Sequence, residues 1–258
     1  MQNHISMDLI QQADQKDLIH LTDHKAASFA SKNRRFYHAA KRLMDFTFAL
    51  ILLVILSPLM LVIALLIYIY SPGPIFFIQE RVGAKKQTVQ GHSYWKRVNF
   101  RCYKFRTMHV NADPAIHRAY VKALIDNDEE KMTALQGQKT KPRKLVNDPR
   151  IIRPGKFVRK LSLDELPQLL NVIKGDMSLV GPRPAIPYEV EMYKPWHLRR
   201  LEALPGLTGL QQVTARCNKD FDQQVKLDIE YIEKQSLWLD IKIILKTPFA
   251  VLSVKGAY

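Results

Sequence analysis

The chain predicts an α+β fold that is mainly helical. It combines a re-entrant membrane helix bent at a Ser-Pro step, a small β-hairpin region, and amphipathic interfacial helices around a compact cytosolic domain. Three observations lead there. Residues 48–70 (FALILLVILSPLMLVIALLIYIY) carry no charge over 23 residues, enough to cross a bilayer at roughly 20 apolar residues per span. Residues 75–110 alternate apolar and polar side chains, the period of strands. The remainder shows stretches of helical period, separated by proline and glycine.

The apolar segment is read as entering the membrane and returning. Ser57-Pro58 sits in its middle, and proline removes a backbone donor and clashes with the preceding turn. Basic residues flank both ends: Lys25, Lys32, Arg34, Arg35, Lys41 and Arg42 before it, Arg81, Lys85, Lys86, Lys96, Arg97, Arg101, Lys104 and Arg106 after it. A spanning helix shows that enrichment on one side only. Hydropathy by itself favours an ordinary spanning helix. Ser71-Pro72-Gly73-Pro74 then reads as a stop and turn. Residues 26–42 fit both an interfacial helix and a solvated charged one.

Further along, Gly83 and Gly91 mark turns between short strands, and 113–137 form a surface helix pair. Residues 138–150 are a basic loop, and 161–174 are helical. Residues 184–204 are amphipathic and interrupted by Pro195, while 205–216 are loop and short strand. Residues 220–235 and 237–253 are helices. The last of these lies in the interface, because Asp240, Lys242 and Lys246 interrupt its apolar run. The chain divides into an N-terminal extension (1–30), an interfacial and re-entrant membrane section (31–72), and a cytosolic domain (73–258). Residues 1–30 are polar, and the apolar run begins too late for a signal peptide.

Composition narrows the partners. There are 39 Lys and Arg against 24 Asp and Glu, a net charge of +15. That excess suits phosphorylated substrates, an anionic membrane surface or nucleic acid. The two cysteines, Cys102 and Cys217, form no CxxC pair, so a reducing compartment is expected. Cys217 beside Arg216 has no base placed for nucleophilic work. The eight histidines make no HxxxH or HExxH cluster, and neither a P-loop nor a GxGxxG fingerprint is present.

The chemistry concentrates in residues 159–184, RKLSLDELPQLLNVIKGDMSLVGPRP. Asp164 and Glu165 are adjacent at a helix start, with Arg159 before and Arg183 after. Acids held among cations suit phosphate chemistry, with one carboxylate free to attack and the other to hold a metal. Ser162-x-x-Glu165 also matches a capping box. Pro167 argues against Ser162 as the cap, and a cap at Leu163 or Asp164 suits it better. Arg183 lies between Pro182 and Pro184, which stiffen the backbone around a guanidinium suited to bidentate phosphate contact. Lys104 and Arg106 alternate with apolar residues and so share a strand face.

These motifs resemble the bacterial sugar transferases, specifically the monotopic phosphoglycosyl transferases that start glycan assembly on polyprenyl phosphate. The likeness runs from about Lys41 to Tyr258. It rests on KRLMDF, Ser57-Pro58, SPGPIFFIQERVG, YKFRTM, NDPRI, GKFVRKLSLDELPQLLNVIKGDMSLVGPRP, PGLTG and SLWLDIKIILKT. IPYEVEMYKPWH and VLSVKGAY resemble the branch tied to exopolysaccharide synthesis. The resemblance implies that Asp164 attacks the sugar-linked phosphate of a UDP-sugar, expelling UMP, and that polyprenyl phosphate then takes the phosphosugar from the aspartyl intermediate. It implies Mg²⁺ at Glu165, the lipid phosphate near Arg159, and nucleotide or phosphosugar at Arg183 and Arg216, with Lys104 and Arg106 as further substrate contacts. Asp228 and Asp240 match family acids of structural role.

The expected partners are the UDP-sugar donor, polyprenyl phosphate and the cytoplasmic face of the inner membrane, with no nucleic acid; a homodimer is left open. The large multi-span domain that precedes this region in longer relatives is expected to be absent. Two positions depart from the family pattern GLWQVSGR: Gln211 replaces a tryptophan and Ala215 a glycine. The departures bear on sugar specificity and loop conformation. Two competing readings remain: a membrane-anchored polyanion binder, and a structural partner in a polysaccharide assembly complex.

Overall fold

The computed structural model describes residues 34–89, 92–111, 115–136, 150–214 and 220–252. The N-terminal extension, Gly91, the basic loop at 138–149, and the stretch holding Arg216 and Cys217 lie outside the described residues.

Helix α1 (Arg34–Tyr70) runs without interruption through Pro58. Helical structure thus continues across the Ser-Pro step where the bend is expected, for a local reason. Pro58 has no N–H for the Val54 carbonyl four residues back, and the Ser57 hydroxyl donates to that carbonyl at 2.8 Å instead. The helix is about 55 Å long at 1.5 Å per residue. It is also largely uncovered: only 11% of its most apolar window is buried, so it is not the core helix of a soluble domain. Leu50, Ile51, Val54, Ile55, Leu61, Val62 and Leu65 stand exposed along it.

Both ends of α1 are fastened to the rest of the molecule. Near its start, Lys41 Nζ lies 2.9 Å from Asp240 Oδ2. Arg42 donates to the carbonyls of Val172 and Ile173. The Leu179 N–H donates to Asp45 Oδ1 at 3.0 Å. The sequence KRLMDF is thereby explained: its three charged groups bind three different elements. Near its end, Ile63 and Ile67 pack with Phe105, Ile152 and Val158. Arg106 donates to the carbonyls of Ser71 and Pro72, closing the turn that follows the helix. A side chain at Gly73, whose φ is +127°, would meet the Arg106 guanidinium at 3.0 Å. Lys41, Arg42, Arg81 and Arg106, which entered the flank-charge argument as membrane neighbours, therefore spend their charges on protein contacts.

The region expected to hold short strands is one long hairpin, β1 (Phe76–Val89) antiparallel to β2 (His92–Phe105). Gly83 is not a turn residue. It pairs with Val98 in mid-strand, where a Cβ would press on the Phe100 ring at 3.1 Å. The hairpin's open edges are covered. Val82 N–H donates to Ala185 O at 2.8 Å on one side. On the other, the Asn171 amide accepts from Tyr103 N–H and donates to Arg101 O.

Helices α2 (Ala115–Ile125) and α3 (Glu129–Gln136) are the surface pair the sequence predicts. Helix α4 (Arg153–Lys160) leads into a 3₁₀ segment, Leu163–Gln168, and then α5 (Leu169–Lys174). Strand β3 (Ser178–Val180) pairs in parallel with β4 (Gly206–Thr208). Between them come α6 (Pro187–Glu191) and a second 3₁₀ segment, Pro195–Leu201. After β4, residues expected to be loop form a short helix, α7 (Leu210–Thr214). Helices α8 (Phe221–Lys234) and α9 (Leu237–Leu252) follow. The main core joins Ala49 of α1, Phe100 and Cys102 of β2, Leu169 and Val172 of α5, β3, Tyr231 of α8 and Ile243 of α9. On α9, Asp240 and Ile243 are buried while Trp238, Leu245, Phe249 and Leu252 are exposed, an amphipathic helix with its second apolar face uncovered.

Candidate active site

The site is built where the 3₁₀ segment meets the end of β2. Helix α4 stops at Leu161, and Ser162 then adopts a left-handed conformation (φ 56°, ψ 22°) that reverses the chain. Ser162 is the residue before the 3₁₀ turn, in the place where a cap at Leu163 or Asp164 was expected, and its hydroxyl makes no capping bond. The capping-box pattern is thus present in sequence and not made in structure. A non-glycine residue at positive φ costs about 1 kcal/mol. Here the reversal aims Asp164 and Glu165 at β2. Leu163 and Leu166, on either side of the pair, pack into the cluster formed by Ile63 and Ile67 of α1. The leucines on either side of the acidic pair thus share an apolar cluster with α1.

Glu165 Oε1 accepts from Lys104 Nζ at 2.7 Å, and Arg183 Nη2 lies 3.9 Å from the same oxygen. Asp164 is half-buried and, among the described residues, its carboxylate takes part in no hydrogen bond or ion pair. Burial lifts Asp164 above the ordinary carboxylate range. The Lys104 ammonium opposes that shift, the neighbouring Glu165 charge adds to it, and Arg159 and Arg183 oppose it. Of the predicted residues, the fold thus gathers Lys104, Asp164, Glu165 and Arg183. Arg159 stands exposed on α4, near enough to act on Asp164 electrostatically. Arg106 does not join them. Strand β2 ends at Phe105, so the alternation that would align Arg106 with Lys104 stops one residue short, and its guanidinium turns to the end of α1. Arg216 falls outside the described residues.

Arg183 is placed by backbone clamps on both sides. Gly206 N–H donates to Pro182 O at 2.8 Å, and Arg81 Nη1 donates to Pro184 O at 2.9 Å. The clamp needs glycines, because the two motifs cross almost in contact. A Cβ at Gly181 would lie 2.3 Å from Leu204 O, and one at Gly209 would lie 2.2 Å from Gly181 O. GPRP and PGLTG are thus one crossing of two chains.

Arg81 and Gln212 are site residues that sequence reasoning missed. Both line the cleft beside Lys104, Glu165 and Arg183. Arg81 is 93% buried at a strand position that reads as one more flanking cation. Its signal in the sequence was the motif QERVG, which has no chemistry without the fold. Asp228 and Asp240 lie in buried ion pairs with Arg200 (2.6 Å) and Lys41 (2.9 Å). Burial raises Asp228 to about 6.

A magnesium ion at this site would need oxygens from a substrate as well as from the protein. Among the described residues no group of three or more His, Cys, Asp and Glu could hold a metal alone. Mg²⁺ is commonly held by one or two carboxylates together with substrate phosphates, and Glu165, partly exposed in the cleft, offers that kind of ligand.

Comparison with known proteins gives the context. The family model described as bacterial sugar transferase matches residues 36–254. An undecaprenyl-phosphate galactose phosphotransferase of Salmonella typhimurium is 40% identical over 236 residues, covering 90% of this chain and 44% of that protein. The exopolysaccharide production protein ExoY of Sinorhizobium fredii is 38% identical over 219 residues, covering 85% of this chain and 88% of ExoY. A UDP-glucose:undecaprenyl-phosphate glucose-1-phosphate transferase of Escherichia coli is 34% identical, covering 84% of this chain and 41% of that protein. The chain therefore spans less than half of the Salmonella and Escherichia relatives and most of ExoY.

Proposed function

The chain belongs to the bacterial sugar transferase family, and on that premise we propose that it transfers a sugar-1-phosphate from a UDP-sugar to undecaprenyl phosphate, the step that initiates exopolysaccharide or related glycan assembly. The observation that carries this reading is the asymmetry of the acid pair: Glu165 is held by Lys104 at 2.7 Å, while the Asp164 carboxylate beside it makes no such bond among the described residues.

Those placements support the following reaction. An Asp164 oxygen attacks the sugar-bearing phosphorus, and the bond from that phosphorus to the UMP oxygen breaks, UMP leaving with the electron pair. An oxygen of polyprenyl phosphate then attacks the same phosphorus, breaking its bond to Asp164 and restoring the carboxylate. Glu165 and the diphosphate oxygens would share Mg²⁺, which supplies charge neutralisation at phosphorus when bound. Lys104 orients Glu165 and, with Arg183, offsets the charge that builds on the phosphoryl oxygens. Arg159, exposed on α4 beside α1, would meet the lipid phosphate.

We place the chain at the cytoplasmic face of the inner membrane without crossing it. A helix fastened at Lys41 and again at Ser71 to one folded unit keeps both ends on that unit's side. A re-entrant path needs the same arrangement. The uncovered faces of α1 and α9 then meet the bilayer, and residues 73–258 form the catalytic domain.

The test is UMP release from a panel of UDP-sugars by detergent-solubilised protein with Mg²⁺ and undecaprenyl phosphate. Release that requires the lipid and vanishes in Asp164→Asn is expected. Undiminished release in the variant overturns the role of Asp164.

A further inference from the structure

Where α1 ends, an uncovered apolar stretch leads up to the acid pair. From Tyr68 to Ile78 the chain carries no charged residue. Tyr68, Ile69 and Tyr70 stand exposed at the end of α1, and Phe76, Phe77 and Ile78 at the start of β1. Successive strand residues point to opposite faces, so these last three are not equivalent. Phe76 stacks on Phe105, its cross-strand partner, at 5.5 Å between ring centres. Phe105 in turn packs with Ile63 and Ile67 of α1. Phe77 belongs to the other face. Its partner there is Lys104, which holds Glu165 at 2.7 Å. Directly opposed residues share a face, with Cβ atoms about 5 Å apart. A phenylalanine that is 47% exposed therefore stands beside a cation of the site.

An exposed ring next to a cation suits a ligand that is apolar and anionic at once. A UDP-sugar offers the ring only the face of its base, and nothing to follow the uncharged path back to α1. A polyprenyl phosphate has both parts directly joined: a phosphate for the cations and isoprene units for the ring. Insertion in the bilayer does not by itself account for Phe77. Carrying this ring into the hydrocarbon carries Lys104 and Glu165 with it, at the cost of desolvating their charges. Phe77 is instead suited to the level of the headgroups, where a lipid phosphate lies and its chain begins.

We propose that Phe77 is the apolar wall of the acceptor subsite, packing against the isoprene units next to the lipid phosphate while the cations around Asp164 receive the phosphate itself. This rests on the transferase reading. The rest of the isoprenoid chain follows the exposed end of α1 into the bilayer.

The experiment is kinetics of the full chain in detergent with Mg²⁺ and the UDP-sugar it accepts, comparing the parent with Phe77→Ala, Phe77→Gln and Phe77→Leu. UMP formed without lipid reports the first transfer, and the steady-state rate against undecaprenyl phosphate concentration reports the acceptor. In Phe77→Ala the KM for undecaprenyl phosphate is expected to rise about tenfold, the worth of burying part of a phenylalanine side chain. The KM for the UDP-sugar and the UMP formed without lipid are expected to stay unchanged. Phe77→Gln is expected to match Phe77→Ala, and it decides where melting curves show that the alanine variant does not fold. Phe77→Leu keeps most of the apolar area and is expected to stay within about threefold of the parent. An unchanged acceptor KM, an equal rise in the KM for the UDP-sugar, or an equal loss of UMP formed without lipid overturns the proposal. A parent that releases no UMP from any UDP-sugar overturns the transferase reading instead. The subsite is then read by photo-crosslinking with a polyprenyl phosphate that carries a diazirine in its first isoprene unit. Label on Phe77 upholds the subsite, and label confined to other residues overturns it.

Discussion

At the scale of single residues, the site depends on groups that act through their neighbours. Lys104 touches Glu165 directly and is the strongest cation acting on Asp164. Lys104→Met is expected to reduce UMP release by about tenfold or more, the cost of one charge-assisted hydrogen bond of about 1.5–3 kcal/mol. Melting is expected to move little, because the pair is only partly buried. Gly181 is the reverse case, a residue with no chemistry and strict geometry. Gly181→Ala drives a Cβ to 2.3 Å from a backbone carbonyl that cannot swing aside. A loss on the order of 2–4 kcal/mol in chemical unfolding is expected, together with loss of activity as Arg183 is displaced. An alanine variant as stable as the parent contradicts the crossing described here.

At the scale of elements, two local devices can be isolated. In α1 the Ser57 hydroxyl stands in for the N–H that Pro58 lacks. Ser57→Ala leaves the Val54 carbonyl without that donor and is expected to cost about 1 kcal/mol in detergent unfolding. If melting of the variant is unchanged, the continuity of the helix has another cause. The 3₁₀ segment Pro195–Leu201 holds a buried histidine. His197 Nδ1 accepts from Lys194 N–H at 3.2 Å, so Nε2 carries the proton and donates to Asp222 Oδ1 at 2.9 Å. Burial keeps His197 below its ordinary range, against the pull of Asp222. The unfolded chain takes up a proton below about pH 6.5 that the folded ring resists, so stability is present above that pH and lost as pH falls through it. The melting temperature is expected to fall less in His197→Gln than in the parent between about pH 7.5 and 5.5. Equal falls mean the ring binds its proton alike in the folded and unfolded chain.

At the scale of the whole molecule, the apolar helix α1 is joined to the rest of the fold by buried charge. Asp240, fully buried, accepts from Lys41, Tyr37 and Tyr231. Lys41→Met strands that carboxylate and is expected to cost about 3–5 kcal/mol. The paired change Lys41→Met with Asp240→Leu is expected to recover much of the loss, and double-mutant unfolding measurements check it. The anchors also bear on the competing binder reading. Arg81, Arg106 and Arg200 are buried and bonded within the protein, so part of the +15 charge builds the fold instead of facing a polyanion.

Much of this was legible in the sequence because it depends on short range. The apolar run of α1, the surface helix pair at 113–137, and α8 and α9 follow from periodicity and composition. The acidic pair between arginines follows from spacing. Other features depend on what arrives from afar. Whether Pro58 breaks its helix is decided by the neighbouring hydroxyl. Whether Arg106 faces the site is decided by where β2 stops. The cations before and after the apolar run look like membrane neighbours until Asp240, the α5 carbonyls and the Ser71 turn claim them. Gln211 and Gln212 are identical in type, and only the packing of α7 between α8 and the cleft tells them apart. Sequence by itself determined the long helices, the family motifs and the residue types of the chemistry, since these are set by covalent order and local sterics. Tertiary structure alone decided which charges stay available, because a buried group takes whichever partner the fold brings within reach, at any distance along the chain.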